Sequence, residues 1–276
     1  MISGFIIPYT LYQSDYKIRH NWYVFIKKRI IRIDPPYFVA VFLAGVLWYA
    51  SSMFPGFKGE DPSFSIAQIL FHVGYLNDIV DLPWLNPVFW TLAIEFQYYI
   101  LISLILPIII STKIKTRTIG LLILCSTAII FPSEVFIFKY LCLFALGIVA
   151  FQYFVKLIST REFLIHILAV TLLVFLTLGQ SVAIVGLASA LIITFVKIEK
   201  IAILNFLGLI SYSLYLIHVP IGGRVVNLGK RIADSEFEFF LISFVGVALS
   251  ISIAYLFYRF VEKPSQEWSS AITYGK

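Results

Sequence analysis

Eight stretches of this chain, near 35–54, 86–110, 119–131, 135–155, 163–178, 182–196, 203–221 and 238–258, each carry at most one Asp, Glu, Lys or Arg. An α-helix needs about 20 mostly apolar residues to cross the hydrocarbon core of a bilayer, and most of these runs approach that length. The runs 119–131 and 182–196 are short, and residues 1–16 read as most of a further span. No internal repeat or low-complexity tract interrupts the pattern. The expected fold is therefore all-α: a polytopic transmembrane bundle of about eight full spans plus an N-terminal partial span, forming a single domain over 1–276.

Composition agrees. Of 276 residues 60% are apolar and only 13% charged, where soluble domains carry about 25%. Such a chain cannot cover a water-facing surface. The 26 Phe, 16 Tyr and 5 Trp suit rings placed at membrane interfaces. The formal charge of +6 does not indicate nucleic acid, because the cations sit in short clusters between apolar runs rather than in one solvated stripe. Counted in alternate loops, one set (17–34, 111–118, 156–162, 197–202 and 259–276) holds sixteen Lys and Arg and the other (55–85, 132–134, 179–181 and 222–237) holds four. The positive-inside rule then puts 17–34 and the C-terminus in the cytoplasm of an integral protein of the cell (inner) membrane. The opening residues lack the basic leader and cleavage site of a signal peptide. Cys125 and Cys142 flank the Pro132-Ser133 turn at similar distances, so they either face each other across a helical hairpin or serve as two small packing residues. The loop 55–85, with Glu60, Asp61, Asp78 and Asp81 against Lys58, contains the apolar run Ile66 to Tyr75. It is expected to lie on the membrane surface, to dip back as a lid, or to be a plain solvated loop.

Charged groups inside spans are costly and mark functional candidates. Glu95 sits nine residues into its span, about 14 Å deep at 1.5 Å per residue, with Tyr98 and Tyr99 on the same helix face. A desolvated carboxyl suits general acid or base work; the alternative is a structural carboxyl bonded to a neighbouring helix. Lys139 is close enough to its span's end to snorkel. Projected as a helix, the stretch from Lys17 to Arg32 gathers Trp22, Phe25, Ile26, Ile30 and Ile33 on one side. Lys27 and Lys28 fall off that side, as headgroup anchors do. Arg29 projects into the apolar stripe with Arg32 at its edge, where an anionic partner such as a phosphorylated ligand is needed. An ordinary positive-inside cluster, or pairing with Asp34, is the alternative. His218, near Ser211 and Tyr215 on its helix, is either a proton carrier or a satisfied structural histidine. His20, His72 and His166 have no motif around them. No metal site is expected.

Three segments in order, Lys28-Arg-Ile-Ile-Arg-Ile-Asp-Pro-Pro-Tyr37, Trp90-Thr-Leu-Ala-Ile-Glu-Phe-Gln-Tyr-Tyr99 and Leu207-Gly-Leu-Ile-Ser-Tyr-Ser-Leu-Tyr-Leu-Ile-His218, together resemble the acyltransferase 3 family of integral-membrane acyltransferases. The closing Tyr258-Arg-Phe-Val-Glu-Lys-Pro264 is similar to the family's end. The resemblance implies an O-acyltransferase that takes an acyl group, commonly acetyl, from acetyl-CoA or another acyl-CoA at the cytoplasmic side. It places that group on a hydroxyl of an outward-facing carbohydrate acceptor. It further implies that Arg29 and Arg32 hold the anionic donor and that Glu95 is the site carboxylate, supported by Tyr98. His218 is a further catalytic candidate from its helix position alone, since none of the four histidines occupies the place of the family's base. One departure stands out. Family members begin with an extra span bearing a basic residue and a histidine that acts as base, whereas Met1-Ile-Ser-Gly-Phe-Ile-Ile-Pro8 is similar to the second span. The chain is thus expected to be either a late-started reading or a truncated copy, and a truncated copy is expected to be inactive for want of a base. Two rival functions fit many spans with few buried charges. One is a transporter or flippase of a sugar-containing substrate, against which the lack of paired Gly/Pro-broken helices speaks. The other is a non-catalytic remnant.

Overall fold

The computed structural model describes residues 1–14, 16–54, 62–197 and 201–274, leaving aside the side chains of Arg19 and His20. Among the described residues there are helices and turns and no strand. After α1 (Ile2–Gln13), α2 runs unbroken over Ile18–Ser52, joining the basic stretch to the first expected span. Pro35 and Pro36 lie within it. They remove the N–H groups that the Ile31 and Arg32 carbonyls would otherwise accept, and in the same turn the Tyr212 hydroxyl donates to the Ile33 carbonyl at 2.9 Å. A short α3 (Ile66–His72) precedes α4 (Trp90–Ile109), α5 (Ile114–Ile130), α6 (Leu141–Phe154), α7 (Thr160–Leu178) and α8 (Gln180–Phe195). The last part comprises α9 (Ala202–Leu209), α10 (Ser211–His218), α11 (Arg224–Ile232), α12 (Glu236–Phe257) and α13 (Lys263–Ala271). Wide π-turns join α10 to α11 and α12 to α13.

Among the described residues five helices are long and apolar enough to cross a membrane, Asn21–Ser52, Trp90–Ile109, Ile137–Phe154, Thr160–Leu178 and Glu236–Ala271; the pair α9 and α10–α11, bent by 58°, makes a sixth if taken as one span. The eight spans expected are thus not confirmed as a count. The runs at 119–131 and 182–196 become α5 and α8, of 17 and 16 residues, and 16 residues reach only about 24 Å. The cations Lys113, Lys115 and Arg117 open α5, and Gly179, at φ +90, ends α7 and starts α8. That left-handed φ is open to glycine at little steric cost. The N-terminal α1 has 12 residues.

The chain divides into two compact units. The first comprises Met1–Ile26, Ile94–Ile198 and Tyr274–Lys276; the second comprises Lys27–Ala93 and Glu199–Thr273. In the first, α1 lies against α6 with backbones nearly touching: a Cβ added to Gly147 would stand 2.2 Å from the Met1 carbonyl oxygen, and one added to Gly4 would stand 2.2 Å from that of Phe144. Small residues permit this approach where lipid offers no hydrophobic drive for helix pairing. Cys125 and Cys142 are free and buried, and the Cys142 thiol donates to the Cys125 carbonyl across α5 and α6 at 3.4 Å. Buried Arg117 bonds Glu162 at 3.2 Å and the Ser111 carbonyl at 2.6 Å. Glu162 also closes the capping box with Ser159 that starts α7, a reciprocal satisfaction of N-terminal N–H groups.

In the second unit the segment 62–89 folds back along α2 instead of forming a solvated loop. The Tyr75 hydroxyl donates to Asp34 at 2.8 Å, and Tyr37 lies 4.7 Å from the Tyr75 ring and 4.9 Å from that of Phe89. Asp34 is eighteen residues before the end of α2, about 27 Å along a helix. Buried polar side chains brace the segment from within. Gln68 Nε2 donates to the Pro83 carbonyl at 2.8 Å, and Asn86 Nδ2 donates to Leu216 O on α10 at 3.1 Å. The residues Lys58, Glu60 and Asp61 of the expected acidic loop lie outside the described residues.

Candidate functional site

The basic end of α2 is turned differently from its helical projection. Trp22 and Ile30, expected to face the protein, are 47% and 38% exposed, while Phe25 is buried. Lys28, expected as a headgroup anchor, points inward: its ammonium donates to the Ile272 carbonyl at 2.5 Å, and the Ser269 hydroxyl donates to the Lys28 carbonyl at 2.8 Å. The physical reason is that lipid accepts apolar side chains, so the apolar stripe of a membrane helix need not be the buried one. Arg29 is half-buried, Arg32 is exposed, and Lys27 is exposed. Arg29 and Arg32 thus lie one turn apart on the second unit's portion of α2.

His218 closes α10 in the same unit. Its Nδ1 stands 2.9 Å from the Tyr215 carbonyl and 3.1 Å from that of Leu214. Carbonyl oxygens only accept, so these contacts call for a hydrogen on Nδ1. The ring lines an open, mostly apolar cavity of about 640 Å³ within the second unit, formed by Leu214, Val219, Val247 and Ile251 with Ser211, Tyr215 and Ser250. Tyr215 is itself fixed, since its hydroxyl contacts the Val88 carbonyl and the Thr91 hydroxyl.

Glu95 and Tyr98 belong to the first unit. Glu95 is half-buried and accepts a hydrogen bond from the Ser3 hydroxyl at 2.7 Å. Tyr98 is fully buried with its ring stacked on Phe144 at 4.2 Å, and its hydroxyl has no hydrogen-bond partner among the described residues. No hydrogen bond therefore joins Tyr98 to Glu95. Lys139 is paired with Glu134 at 2.5 Å near its helix start.

Two polar groups of the second unit were not picked out from sequence. Glu262 is 3% exposed and accepts from the Ser213 N–H at 3.1 Å, the Ser213 hydroxyl at 2.5 Å and the Gln266 amide at 2.7 Å. Arg32 attracts it from beyond contact distance. Its signal was present in the closing Tyr258–Pro264 motif, but 259–276 reads as a loop, so Glu262 was not counted among charges inside helices. The other is His72, with Nδ1 at 2.7 Å from the Gln68 carbonyl and Nε2 at 3.4 Å from the Leu85 N–H. Both nitrogens are satisfied in the neutral ring, and burial lowers the His72 pKa below the ordinary 6.5. It is a structural histidine.

A family model described as an acyltransferase domain matches residues 1–259 of the chain. No curated protein matches it, and no solved structure does.

Proposed function

This chain belongs to the acyltransferase 3 family, and from that membership we propose that it is a membrane-bound O-acyltransferase that moves an acyl group, of acetyl size, from acyl-CoA to a hydroxyl of an extracytoplasmic carbohydrate. Apolar helices long enough to cross a bilayer make it a membrane protein. The observation that supports the chemistry is the placement of His218 beside the cavity, with its Nδ1 2.9 Å from the Tyr215 carbonyl.

In this reading Arg29 and Arg32 bind the phosphates of the acyl-CoA, each offering a planar fork of donors that matches two phosphate oxygens. The basic stretch 17–34 faces the cytoplasm, where acyl-CoA is found. His218 Nε2 takes the proton of the acceptor hydroxyl as its oxygen attacks the thioester carbonyl. The carbon–sulfur bond then breaks, and the CoA thiolate recovers a proton, so no net proton is consumed. The Nδ1–H contact to backbone holds the imidazole in orientation and stabilises the charge that forms on it. In the first unit Glu95 is a second candidate base, held by Ser3, and Tyr98 is placed beside it in sequence by the family motif.

Mass spectrometry of surface glycans from cells with and without the gene tests the reading. Acylated glycan is expected only with the gene, and Arg29→Ala and Glu95→Gln are each expected to abolish the mass difference. Full acylation by both variants would show that neither Arg29 nor Glu95 takes part in the transfer.

A further inference from the structure

The helix that carries Tyr215 and His218 begins abruptly. α9 ends at Leu209, and the chain turns through 58° before α10 starts at Ser211. A helix start leaves up to four backbone N–H groups without partners. The usual remedy is a Ser, Thr, Asp or Asn side chain at the position before the first turn. Here that position is Ile210, which has no side-chain oxygen to offer. The gap is filled from 49 residues further along the chain. One carboxylate oxygen of Glu262 accepts both the backbone N–H and the hydroxyl of Ser213, the third residue of α10. The other oxygen accepts from Gln266. Glu262 is 3% exposed and Ser213 is fully buried, so water cannot substitute. An anion at this end also meets the positive pole of the α10 dipole. Glu262 lies in the π-turn between α12 and α13, where the wider winding offsets its side chain from the regular helical rows.

We propose that Glu262 is a positioning residue: it caps α10 in trans, fixes the direction in which that helix leaves the bend, and thereby sets where Tyr215 and His218 stand. The catalytic half of this statement rests on the acyl-transfer reading; the capping half does not. Glu262 touches neither donor nor acceptor. Without the cap, α10 frays from its first turn, and the side chains placed by its last turn lose their aim. Substitution by Gln separates capping from charge. A glutamine carbonyl in place of the oxygen facing Ser213 keeps both Ser213 contacts, while its amide turns to Gln266, which presents its own oxygen in return.

The experiment uses the full chain in lipid nanodiscs and reads two quantities. In hydrogen exchange followed by mass spectrometry, Glu262→Ala should speed exchange of the amides of 211–216 about tenfold, as expected for loss of a cap, with Glu262→Gln close to wild type. In transfer from labelled acetyl-CoA, Glu262→Ala should lower kcat per folded molecule about tenfold without changing KM for acetyl-CoA, again with Glu262→Gln close to wild type. Ser213→Ala combined with Glu262→Ala should be no worse than Glu262→Ala alone. Unchanged exchange at 211–216 in Glu262→Ala overturns the capping. Damage by Glu262→Gln equal to that of Glu262→Ala also overturns it, by showing that the charge facing Arg32 is what counts. If exchange changes as expected while the wild-type protein transfers no label, the cap stands and the acyl-transfer reading falls.

Discussion

In the first unit the tightest approaches are between backbones: Gly4 against Phe144 and Gly147 against Met1, with α5, α6 and α7 further joined by apolar packing and by the Arg117–Glu162 pair. In the second unit the elements are tied by side-chain hydrogen bonds that cross long stretches of sequence. Tyr75 bonds Asp34, Tyr212 bonds the Ile33 carbonyl, Asn86 bonds the Leu216 carbonyl, Ser269 bonds the Lys28 carbonyl, and Glu262 bonds Ser213. Close packing of small residues holds a shape without specifying where a polar atom sits. A hydrogen bond in a nonpolar surround fixes a donor and an acceptor to within a few tenths of an ångström. The first unit has such long-range bonds as well, from Ser3 to Glu95, from Tyr16 to the Ser103 carbonyl and from Gln152 to the Ile109 carbonyl. What sets it apart is the backbone-to-backbone contact of α1 with α6, while in the second unit the bonds fix the elements that carry Arg29, Arg32 and His218.

That contrast breaks or sharpens through substitution. The largest effect is expected for His218→Ala, which should lower acyl transfer by about 10²–10⁴-fold, the range of general base catalysis, with thermal stability little changed. A loss confined to stability would make His218 a packing residue. Next comes Gly147→Val in the first unit. Overpacked cores lose about 1–3 kcal/mol, and because the new Cβ meets backbone rather than a flexible side chain, this variant should lie at the upper end in denaturant unfolding. In the second unit Tyr75→Phe removes the partner of Asp34 and should cost about 1–2 kcal/mol. A double-mutant cycle with Asp34→Asn should show coupling of similar size, and additivity would show the bond to be idle.

The smallest expected effect is a pH dependence. Burial lowers the pKa of His72 in the folded protein, so between that value and about 6.5 the unfolded chain binds the proton and the folded chain does not. Stability from neutral His72 is therefore fully present above about pH 6.5 and declines as pH falls below it. Thermal unfolding at about pH 7.5 and about pH 5.5 should differ more for wild type than for a His72→Gln variant. An equal difference would mean that His72 is not the group responsible.

The helical membrane body was legible from the apolar runs, because nothing else buries such a composition. The family was legible from four short motifs. The span count was not, since periodicity is silent on where a helix stops: α5 and α8, of 17 and 16 residues, stand at the lower limit of what crosses a bilayer. Helical projection also misplaced Lys28, because it assumed that the apolar side of α2 faces the protein, whereas Trp22 and Ile30 are on its exposed side. The fold-back of 62–89 depends on Tyr75 reaching Asp34 and Tyr37, partners about 40 residues earlier. Tyr75 does so from a left-handed backbone (φ 59), a conformation rare for an aromatic residue that no local pattern announces. Glu262 escaped notice because its meaning lies in a helix start 49 residues away.

The most direct test offers labelled acetyl-CoA to membranes containing the full chain. Label is predicted to appear in an extracytoplasmic carbohydrate and to disappear with Arg29→Ala or His218→Ala. Uptake of a sugar-containing substrate with no label transferred would contradict the account and make the protein a transporter.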